Sequence, residues 1–218
     1  NFGNSIEFYS SNNSYIDCGN SSLLNITGNA ITLAAWVCPN ANANDIFQKE
    51  NSGLNGGYRL YSNGSGQICF GLYIDGNWNE LKSPANTLVV GNWSHICGTY
   101  DGTTQKIFIN GNNVASKSTT GNITTSSSNL FLGESHTSTI NYYDGKMDEM
   151  AIWSNARSQS EVLSDMNLQL NGTETGLVAY YKCNQGIADA NNSGLSTLLD
   201  ATPYANNATL EMMFLKNN

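Results

Sequence analysis

The sequence predicts an all-β fold, an antiparallel two-sheet sandwich or jelly roll with one short helix. Short segments rich in β-branched and aromatic residues recur along the 218 residues and are separated by turn residues. One stretch alone carries a convincing helix start, and there are only 3 prolines to interrupt strands. Because sandwiches of this length are routinely one domain, we expect residues 1–218 to form a single domain.

The first strands follow from alternation and turn chemistry. Ser5–Tyr9 and Ser14–Cys18 are predicted to pair as an N-terminal hairpin through a turn at Ser10–Asn13. Ala30–Cys38 is apolar on both faces, as expected for a buried strand, and Pro39 ends it.

A meander of strands is predicted next, because Asn-Gly and Asp-Gly are strong turn signals. These pairs occur at Asn63-Gly64 and Asp75-Gly76. The strands expected around them are Ile46–Lys49, Tyr58–Tyr61, Gln67–Ile74 and Trp78–Lys82.

The stretch from Gly91 to Trp153 has the strongest strand patterns. Trp93–Tyr100 and Gln105–Asn110 flank a turn at Asp101–Thr104 and are predicted to form a hairpin. Asn110-Gly111 is a strong turn signal directly after it. Two further strands are predicted at Asn129–Gly133 and Gly145–Trp153, with a polar loop between them.

The C-terminal part begins with the helix. Ser158-Gln159-Ser160-Glu161 is a capping box, which predicts a helix of two to three turns that covers the sandwich. Residues 176–218 are expected to form a last strand and a tail, with the strand at Gly176–Lys182. The apolar residues Met212–Leu215 have two interpretations, an edge strand or a surface that docks to a neighbouring module or subunit.

Composition excludes several classes of function. The net charge is −8, from 17 acidic and 9 basic residues. Without a basic patch, a nucleic-acid or anionic-membrane partner is disfavoured, whereas a divalent cation or a neutral sugar is compatible. The longest apolar run, Ile31–Cys38, is far shorter than the roughly 18 residues that span a bilayer, so no membrane insertion is expected.

The 5 cysteines are Cys18, Cys38, Cys69, Cys97 and Cys183. They have no CxxC spacing and no nearby histidine, which argues against a zinc site. Two interpretations stay open: each cysteine fills a strand position as a small hydrophobic residue, or Cys38 and Cys97 form one disulfide.

The motifs of the central stretch resemble those of bacterial laminin G-like jelly-roll domains, part of the concanavalin A-like lectin and glucanase superfamily. The similarity lies in WSHICGTYDGTTQKIFINGNNVA, LFLGES and YYDGKMDEMAIW. It extends upstream to SIEFYSSNNSYIDCGN and ITLAAWVCP, and downstream to ARSQSEV and GLVAYYKCNQG. The resemblance implies a concanavalin A-like fold. It leaves the ligand open, because this fold serves lectins, adhesion modules, glycosidases and structural domains.

Catalysis is not expected. The resemblance implies that a glucanase of this superfamily would carry two glutamates on one strand, both facing the cleft. Met147–Met150 offers one Asp and one Glu as neighbours, which point to opposite faces of a strand. Ser94 and His95 are likewise sequence neighbours and do not build a catalytic triad.

The resemblance also implies a structural calcium ion. In the family, the Asp that matches Asp148 commonly binds calcium together with backbone carbonyls near the N-terminal strands. Asp17 and Asn20 lie in the matching region and are the candidate partners, since calcium prefers oxygen ligands. The alternative is that Asp148 caps a turn or pairs with Lys146 or Arg157.

Sugar binding needs exposed aromatic rings beside amide, hydroxyl or carboxylate groups. Trp78 lies in an Asn-rich turn, with rim packing as the alternative to ligand contact. Tyr142, Tyr143 and His136 share one loop region, and only one of the two adjacent tyrosines can face inward. Arg59 lies on a strand that can line the binding face.

The sequence therefore predicts a non-catalytic, secreted or cell-surface module that binds a glycan or polysaccharide, with calcium holding its loops. The alternative is a structural or adhesive module that binds protein or its own kind, and an enzyme with an atypical site comes third. With no signal peptide at Asn1, we expect a module of a longer extracellular protein.

Overall fold

A computed structural model describes residues 3–50, 53, 55–135, 141–186 and 194–212. The chain forms fifteen strands and one α-helix in these ranges. The strands are β1 Ile6–Phe8, β2 Tyr15–Asp17, β3 Ile31–Pro39, β4 Asp45–Glu50, β5 Gly57–Ser62, β6 Ile68–Ile74, β7 Asn77–Lys82, β8 Ser94–Tyr100, β9 Thr104–Ile109, β10 Asn112–Ser118, β11 Phe131–Leu132, β12 Gly145–Trp153, β13 Leu177–Tyr181, β14 Thr197–Leu198 and β15 Ala208–Glu211; the helix α1 is Gln159–Asn167.

The strands build two antiparallel sheets that face each other. The seven-stranded sheet has the order β1-β12-β3-β8-β9-β10, and β13 also pairs with β12. The eight-stranded sheet has the order β14-β15-β2-β11-β4-β5-β6-β7. The predicted fold class, an all-β sandwich with one short helix, is confirmed.

The main core lies between the sheets and is built from alternate residues of each strand. Leu33 and Ile96 point inward from the seven-stranded sheet, and Leu60, Phe70 and Leu72 point inward from the eight-stranded sheet. All five side chains are fully buried. Because side chains alternate along a strand, each sheet presents its remaining residues on an outer face.

The predicted meander β5-β6-β7 and hairpin β8-β9 are confirmed. Asp75 and Gly76 both have positive φ angles, 48° and 76°, and so do Asn110 and Gly111, with 49° and 76°. Two consecutive residues with positive φ form a type I′ turn, whose twist matches that of the two strands of a hairpin. The dipeptides in the sequence therefore identified these turns correctly.

The predicted N-terminal hairpin is wrong, although both of its strands exist. β1 pairs with β12 in one sheet, and β2 pairs with β11 and β15 in the other. Between them Ser10–Asn12 form one 3-10 turn that ends at Asn13 in the left-handed conformation. This turn carries the chain from one sheet to the other, so the two strands cannot pair.

The C-terminal part belongs to both sheets. β13 pairs with β12, as the predicted strand at Gly176–Lys182 required, and β15 pairs with β2. The short strand β14, which pairs with β15, was not predicted. Of the predicted apolar tip, Met212 is exposed, and residues 213–218 lie outside the described part of the chain.

Helix α1 covers the outer face of the seven-stranded sheet. Its capping box is formed as predicted, because Ser158 and Glu161 each bind the backbone N–H of the other. Val162 of the helix packs into a second apolar cluster with Phe108, Trp153 and Tyr180 of the sheet. This face of the sandwich is therefore a second, smaller core.

All five cysteines are free. Cys38 lies opposite Lys146, and Cys97 lies opposite Ala34, four positions away along β3. At about 3.3 Å per residue, this offset puts the two thiols beyond the reach of a disulfide. Cys38, Cys69 and Cys97 lie in strands, as one interpretation expected, whereas the buried Cys18 and Cys183 follow β2 and β13. Within the described residues no helix is long and apolar enough to cross a membrane.

Candidate functional site

The outer face of the eight-stranded sheet gathers polar and aromatic side chains from segments far apart in sequence. We call it the polar face. The strand register aligns Asp17, Phe131, Gln48, Arg59, Gly71 and Glu80 in one row across neighbouring strands. Tyr61, Tyr73 and Trp78 point to the same side of their strands, because each is an even number of residues from a member of this row. Arg59 and Trp78, two predicted ligand residues, thus share one face.

Trp78 provides an exposed aromatic surface on the polar face. Its side chain is 37% exposed, and its ring lies over Gly71 of the neighbouring strand. A Cβ atom at position 71 would lie only 2.1 Å from Cη2 of Trp78. The buried ring of Tyr73 supports it, with the two ring centres 5.0 Å apart. Gly71 therefore allows the indole to rest on the sheet.

Arg59 organises the centre of the polar face. Its Nε and Nη2 atoms donate to the two carboxylate oxygens of Asp45, at 2.5 and 2.9 Å. Its guanidinium carbon lies 4.2 Å from the centre of the Tyr61 ring. Burial raises the pKa of Asp45, and the hydrogen bonds from Arg59 oppose this rise. The guanidinium is thus held in a fixed position.

Two buried polar side chains beside Arg59 have atoms without hydrogen-bond partners among the described residues. Gln48 is fully buried, and neither atom of its amide has a hydrogen-bond partner among the described residues. Glu50 is 4% exposed, and its Oε2 atom accepts no hydrogen bond there. Burial raises the pKa of Glu50, and the charge of Arg59 opposes this rise. Buried polar atoms without partners are uncommon and mark places where a further group can bind.

At the far side of the polar face, three aromatic rings form a cluster. The ring centre of Tyr15 lies 5.9 Å from that of Phe131 and 6.3 Å from that of Tyr142. Tyr142 forms an isolated bridge with Glu134. Burial raises the pKa of Tyr142, and the charge of Glu134 adds to this. The predicted ligand residue Tyr142 therefore lies at a partly exposed aromatic site beside a carboxylate.

Tyr143 corrects one expectation. Its ring is fully buried and packs edge-on against Phe8, with the ring centres 5.5 Å apart. Its hydroxyl donates to the backbone carbonyl of Lys146. A ring enclosed in the core cannot contact a ligand, so Tyr142 is the outward member of the pair. The other predicted loop residue, His136, lies outside the described residues.

Asp148, the predicted calcium ligand, lies on the other sheet. It is fully buried in β12 at a bulge, where the register with β3 shifts between Asp148 and Ala151. Its Oδ1 atom accepts a hydrogen bond from the backbone N–H of Glu149, which has a positive φ of 51°. Arg157, an alternative partner, pairs with Asp165 instead.

Asp17 and Asn20 have partners of their own. Both carboxylate oxygens of Asp17 accept from the Asn129 side chain, at 3.0 Å each. The Asn20 side-chain oxygen accepts from the amine of Lys49 at 2.8 Å. Among the described residues no group of three or more His, Cys, Asp and Glu side chains is arranged to hold a metal ion. Of the predicted ligands, Asp148 lies in the seven-stranded sheet and Asp17 in the eight-stranded sheet.

Sequence reasoning missed the acidic and amide groups of the polar face, Asp45, Gln48, Glu50 and Glu80. Glu80 accepts a hydrogen bond from the hydroxyl of Tyr61 and pairs with Lys82 at 2.9 Å. A signal existed, because Gln48 and Glu50 are two residues apart on one strand and must share a face. What the sequence could not give was the register that places them beside Arg59.

A family model describes most of the chain. Residues 10–163 match a laminin G-type model of the concanavalin A-like lectin/glucanases superfamily. The remaining part includes β13, β14 and β15, which complete the two sheets.

Solved structures share the fold. A candidate carbohydrate-binding protein from Bacteroides ovatus superposes with a TM-score of 0.73 at 20% identity, over 96% of this chain and 58% of that one. The CBM40 module of a Ruminococcus gnavus sialidase, bound to α2,3-sialyllactose, superposes with a TM-score of 0.55 at 17% identity, over 66% of this chain and 84% of that one. Identities this low establish the fold alone.

One human protein matches part of the sequence. Pappalysin-1 of Homo sapiens is 37% identical over 93 residues, which is 40% of this chain and 5% of that protein. The chain thus spans a small part of this relative and little more than half of the Bacteroides structure.

Proposed function

Because this chain belongs to the concanavalin A-like lectin/glucanases superfamily, we propose that it is a non-catalytic carbohydrate-binding module, secreted or displayed on a cell surface. The polar face of the eight-stranded sheet is the proposed binding surface. The superposition on a candidate carbohydrate-binding protein supports this proposal at the level of the fold.

The observation that carries the proposal is the exposed indole of Trp78, supported from below by Gly71 and Tyr73. A pyranose has an apolar C–H face that stacks on such a ring. A large aromatic side chain left at the surface without a covering element is the arrangement that a sugar-binding site requires. Trp78 therefore supplies the stacking surface in the proposed mechanism.

Polar groups next to Trp78 would fix the orientation of the sugar. Arg59 offers N–H donors, whereas Glu50 and Glu80 offer carboxylate acceptors. Tyr15 of the second aromatic cluster lies five strands away from Trp78, about 24 Å at the usual strand spacing. A ligand that contacts both aromatic regions must be an oligosaccharide.

The same carboxylates favour binding over hydrolysis. Asp45 is bound by two nitrogens of Arg59, and Glu80 by Lys82 and Tyr61. A general acid must hold and release a proton close to the scissile bond. Carboxylates engaged in these contacts are not free to donate a proton to a glycosidic oxygen. We therefore propose that the bound glycan is not cleaved.

A glycan array tests this function. We expect the wild-type protein to bind a defined set of glycans. Trp78→Ala should bind them at least about tenfold more weakly, because the stacking of a sugar ring on the indole is lost. Tyr204→Ala is the matched control, because Tyr204 is 55% exposed and lies in the loop between β14 and β15. Loss of binding in both variants, or in neither, would contradict the proposed surface.

We also propose a structural calcium ion with Asp148 as a ligand. The buried Asp148 carboxylate suits this role, because calcium prefers carboxylate oxygen ligands. Asn20 is a poor partner, since the Lys49 amine occupies its oxygen. Calcium should raise the melting temperature of the wild type, EDTA should lower it, and Asp148→Asn should remove the difference. An unchanged melting temperature with EDTA would refute the proposal.

The alternative is a structural or adhesive module. Leu199, Tyr204 and Met212 are each more than half exposed in the C-terminal part, which favours contact with another protein. This alternative predicts a silent glycan array together with concentration-dependent association in light scattering. Substituting the three residues by serine should then abolish the association.

A further inference from the structure

The contact between Arg59 and Glu50 is loose. Nη1 of Arg59 lies 3.7 Å from Oε2 of Glu50, too far for a hydrogen bond. The other nitrogens of this guanidinium are fixed on Asp45, so Arg59 cannot move closer without breaking a bidentate pair. A donor and an acceptor therefore face each other across a gap.

Gln48 provides a second, independent sign that the site is incomplete. It lies on β4 between Asp45 and Glu50 and directly opposite Arg59 on β5. Both atoms of its amide are without hydrogen-bond partners among the described residues, although the side chain is fully buried. Leaving such groups unpaired costs free energy, which a bound polar group would recover.

Acidic groups dominate the charge of the polar face. On this side of its described strands there are five carboxylates, Asp17, Asp45, Glu50, Glu80 and Glu211, and two cations, Arg59 and Lys82. Asp45 holds Arg59, and Glu80 holds Lys82. Both of these cations are therefore paired with carboxylates, so the described part of the polar face has a net negative charge that disfavours anions.

A hydroxyl group can hydrogen-bond to both Arg59 and Glu50, whereas a carboxylate cannot. The O–H of a sugar can donate to Glu50 while its oxygen accepts from Nη1 of Arg59. Hydrogen bonds to charged groups are about twice as strong as those between neutral groups, and the two would reinforce each other. A carboxylate or sulfate placed there would instead oppose Glu50 directly.

We infer that the ligand of the polar face is a neutral glycan, one hydroxyl of which bridges Glu50 and Arg59, and that sialylated, uronic and sulfated glycans are rejected. This inference rests on the proposed function. It assigns Glu50 as the residue that determines specificity, in addition to the stacking role of Trp78.

The test uses matched probes on one array, with lactose and α2,3-sialyllactose among neutral, sialylated, uronic and sulfated members of each glycan core. We expect the wild type to bind its neutral members at least about tenfold more tightly than the acidic counterparts at low salt. This preference should shrink as salt screens the charges. Glu50→Gln should weaken neutral binding about tenfold or more, as expected for loss of a charge-assisted hydrogen bond.

Glu7→Gln is the control, because it removes the same charge from the other sheet, where Glu7 pairs with Lys146. The melting temperature of Glu50→Gln is measured to confirm that the variant is folded. Glu50→Asp keeps the charge on a shorter side chain and should bind neutral glycans more tightly than Glu50→Gln does. Equal or tighter binding of acidic glycans by the wild type, or unchanged neutral binding by Glu50→Gln, would overturn the inference and leave the proposed function standing. A wild type that binds no glycan would instead refute the proposed function itself.

Discussion

The two outer faces of the sandwich are built by the same alternation of side chains along the strands, but one face is covered and the other is exposed. On the seven-stranded sheet, α1 covers Phe108, Trp153 and Tyr180 and turns the outer face into a second apolar core. On the eight-stranded sheet, Trp78 remains exposed among charged side chains. A tryptophan thus contributes to stability on one face and to proposed binding on the other, and the covering helix makes the difference.

The largest effect is expected on the covered face. Trp153→Ala should lower the free energy of unfolding by about 3–5 kcal/mol, since the ring is 2% exposed and its removal leaves a cavity under the helix. Urea unfolding measures this value. Leu168→Ala, at the exposed end of α1, is the control and should have little effect. A loss below about 1 kcal/mol for Trp153→Ala would mean that the second core is not part of the cooperative unit.

A smaller effect on the seven-stranded sheet depends on pH. His95 packs beside Trp36, and burial lowers its pKa from 6.5 to about 4. The unfolded chain therefore binds a proton at a pH where the folded protein does not. The neutral imidazole should make its full contribution to the free energy of unfolding above about pH 6.5. This contribution should fall by roughly 2–3 kcal/mol as the pH drops toward 4.

Denaturation of the wild type and His95→Gln between pH 7 and 4 isolates this contribution. The difference in the free energy of unfolding between the two proteins should change between pH 7 and 4 and stay constant above pH 7. A constant difference throughout would show that another group causes the acid sensitivity.

The helix that covers the sheet depends on its first turn. Ser158→Ala removes the capping box and should cost about 1 kcal/mol, because the backbone N–H of Glu161 loses its acceptor. Thermal unfolding checks this value. Ser164→Ala lies in the exposed middle of the same helix and should be neutral or slightly stabilising. Equal losses in both variants would argue against a specific role for the cap.

The smallest change in stability is expected on the polar face. Gly71→Ala should alter the free energy of unfolding by less than about 1 kcal/mol, because the displaced indole of Trp78 can move into solvent. One of the four tryptophan indole signals in an NMR spectrum should shift, and glycan binding should fall with it. Gly64→Ala has open space around its new methyl group and serves as the control. If no indole signal shifted, Gly71 would not be the residue that supports the Trp78 ring.

Local sequence was sufficient for most of the strands. Asp75-Gly76 and Asn110-Gly111 located hairpin turns because few residues other than Asn, Asp and Gly tolerate these backbone angles. The capping box located α1 in the same way. Each of these features depends on contacts within a few residues, which a single sequence can reveal.

The polar face could not be read in the same way. Its central row joins Asp17, Phe131, Gln48 and Arg59, which come from four separate segments, and only long-range register makes them neighbours. The failed prediction of an N-terminal hairpin has the same origin, because β1 and β2 find partners more than a hundred residues away. The sequence thus predicted Arg59 and Trp78 individually, but not the carboxylates that surround them.

The pairing of β2 with β15 and of β1 with β12 has a consequence for how the protein is made. Neither sheet can close until the ribosome has released residues far downstream, since Thr209 of β15 must bind beside Asp17 of β2. The meander β5-β6-β7 and the hairpin β8-β9 can form much earlier, because their contacts are local. Until synthesis reaches β15, β2 exposes an unpaired edge, and chaperones that shield such edges would act in that interval.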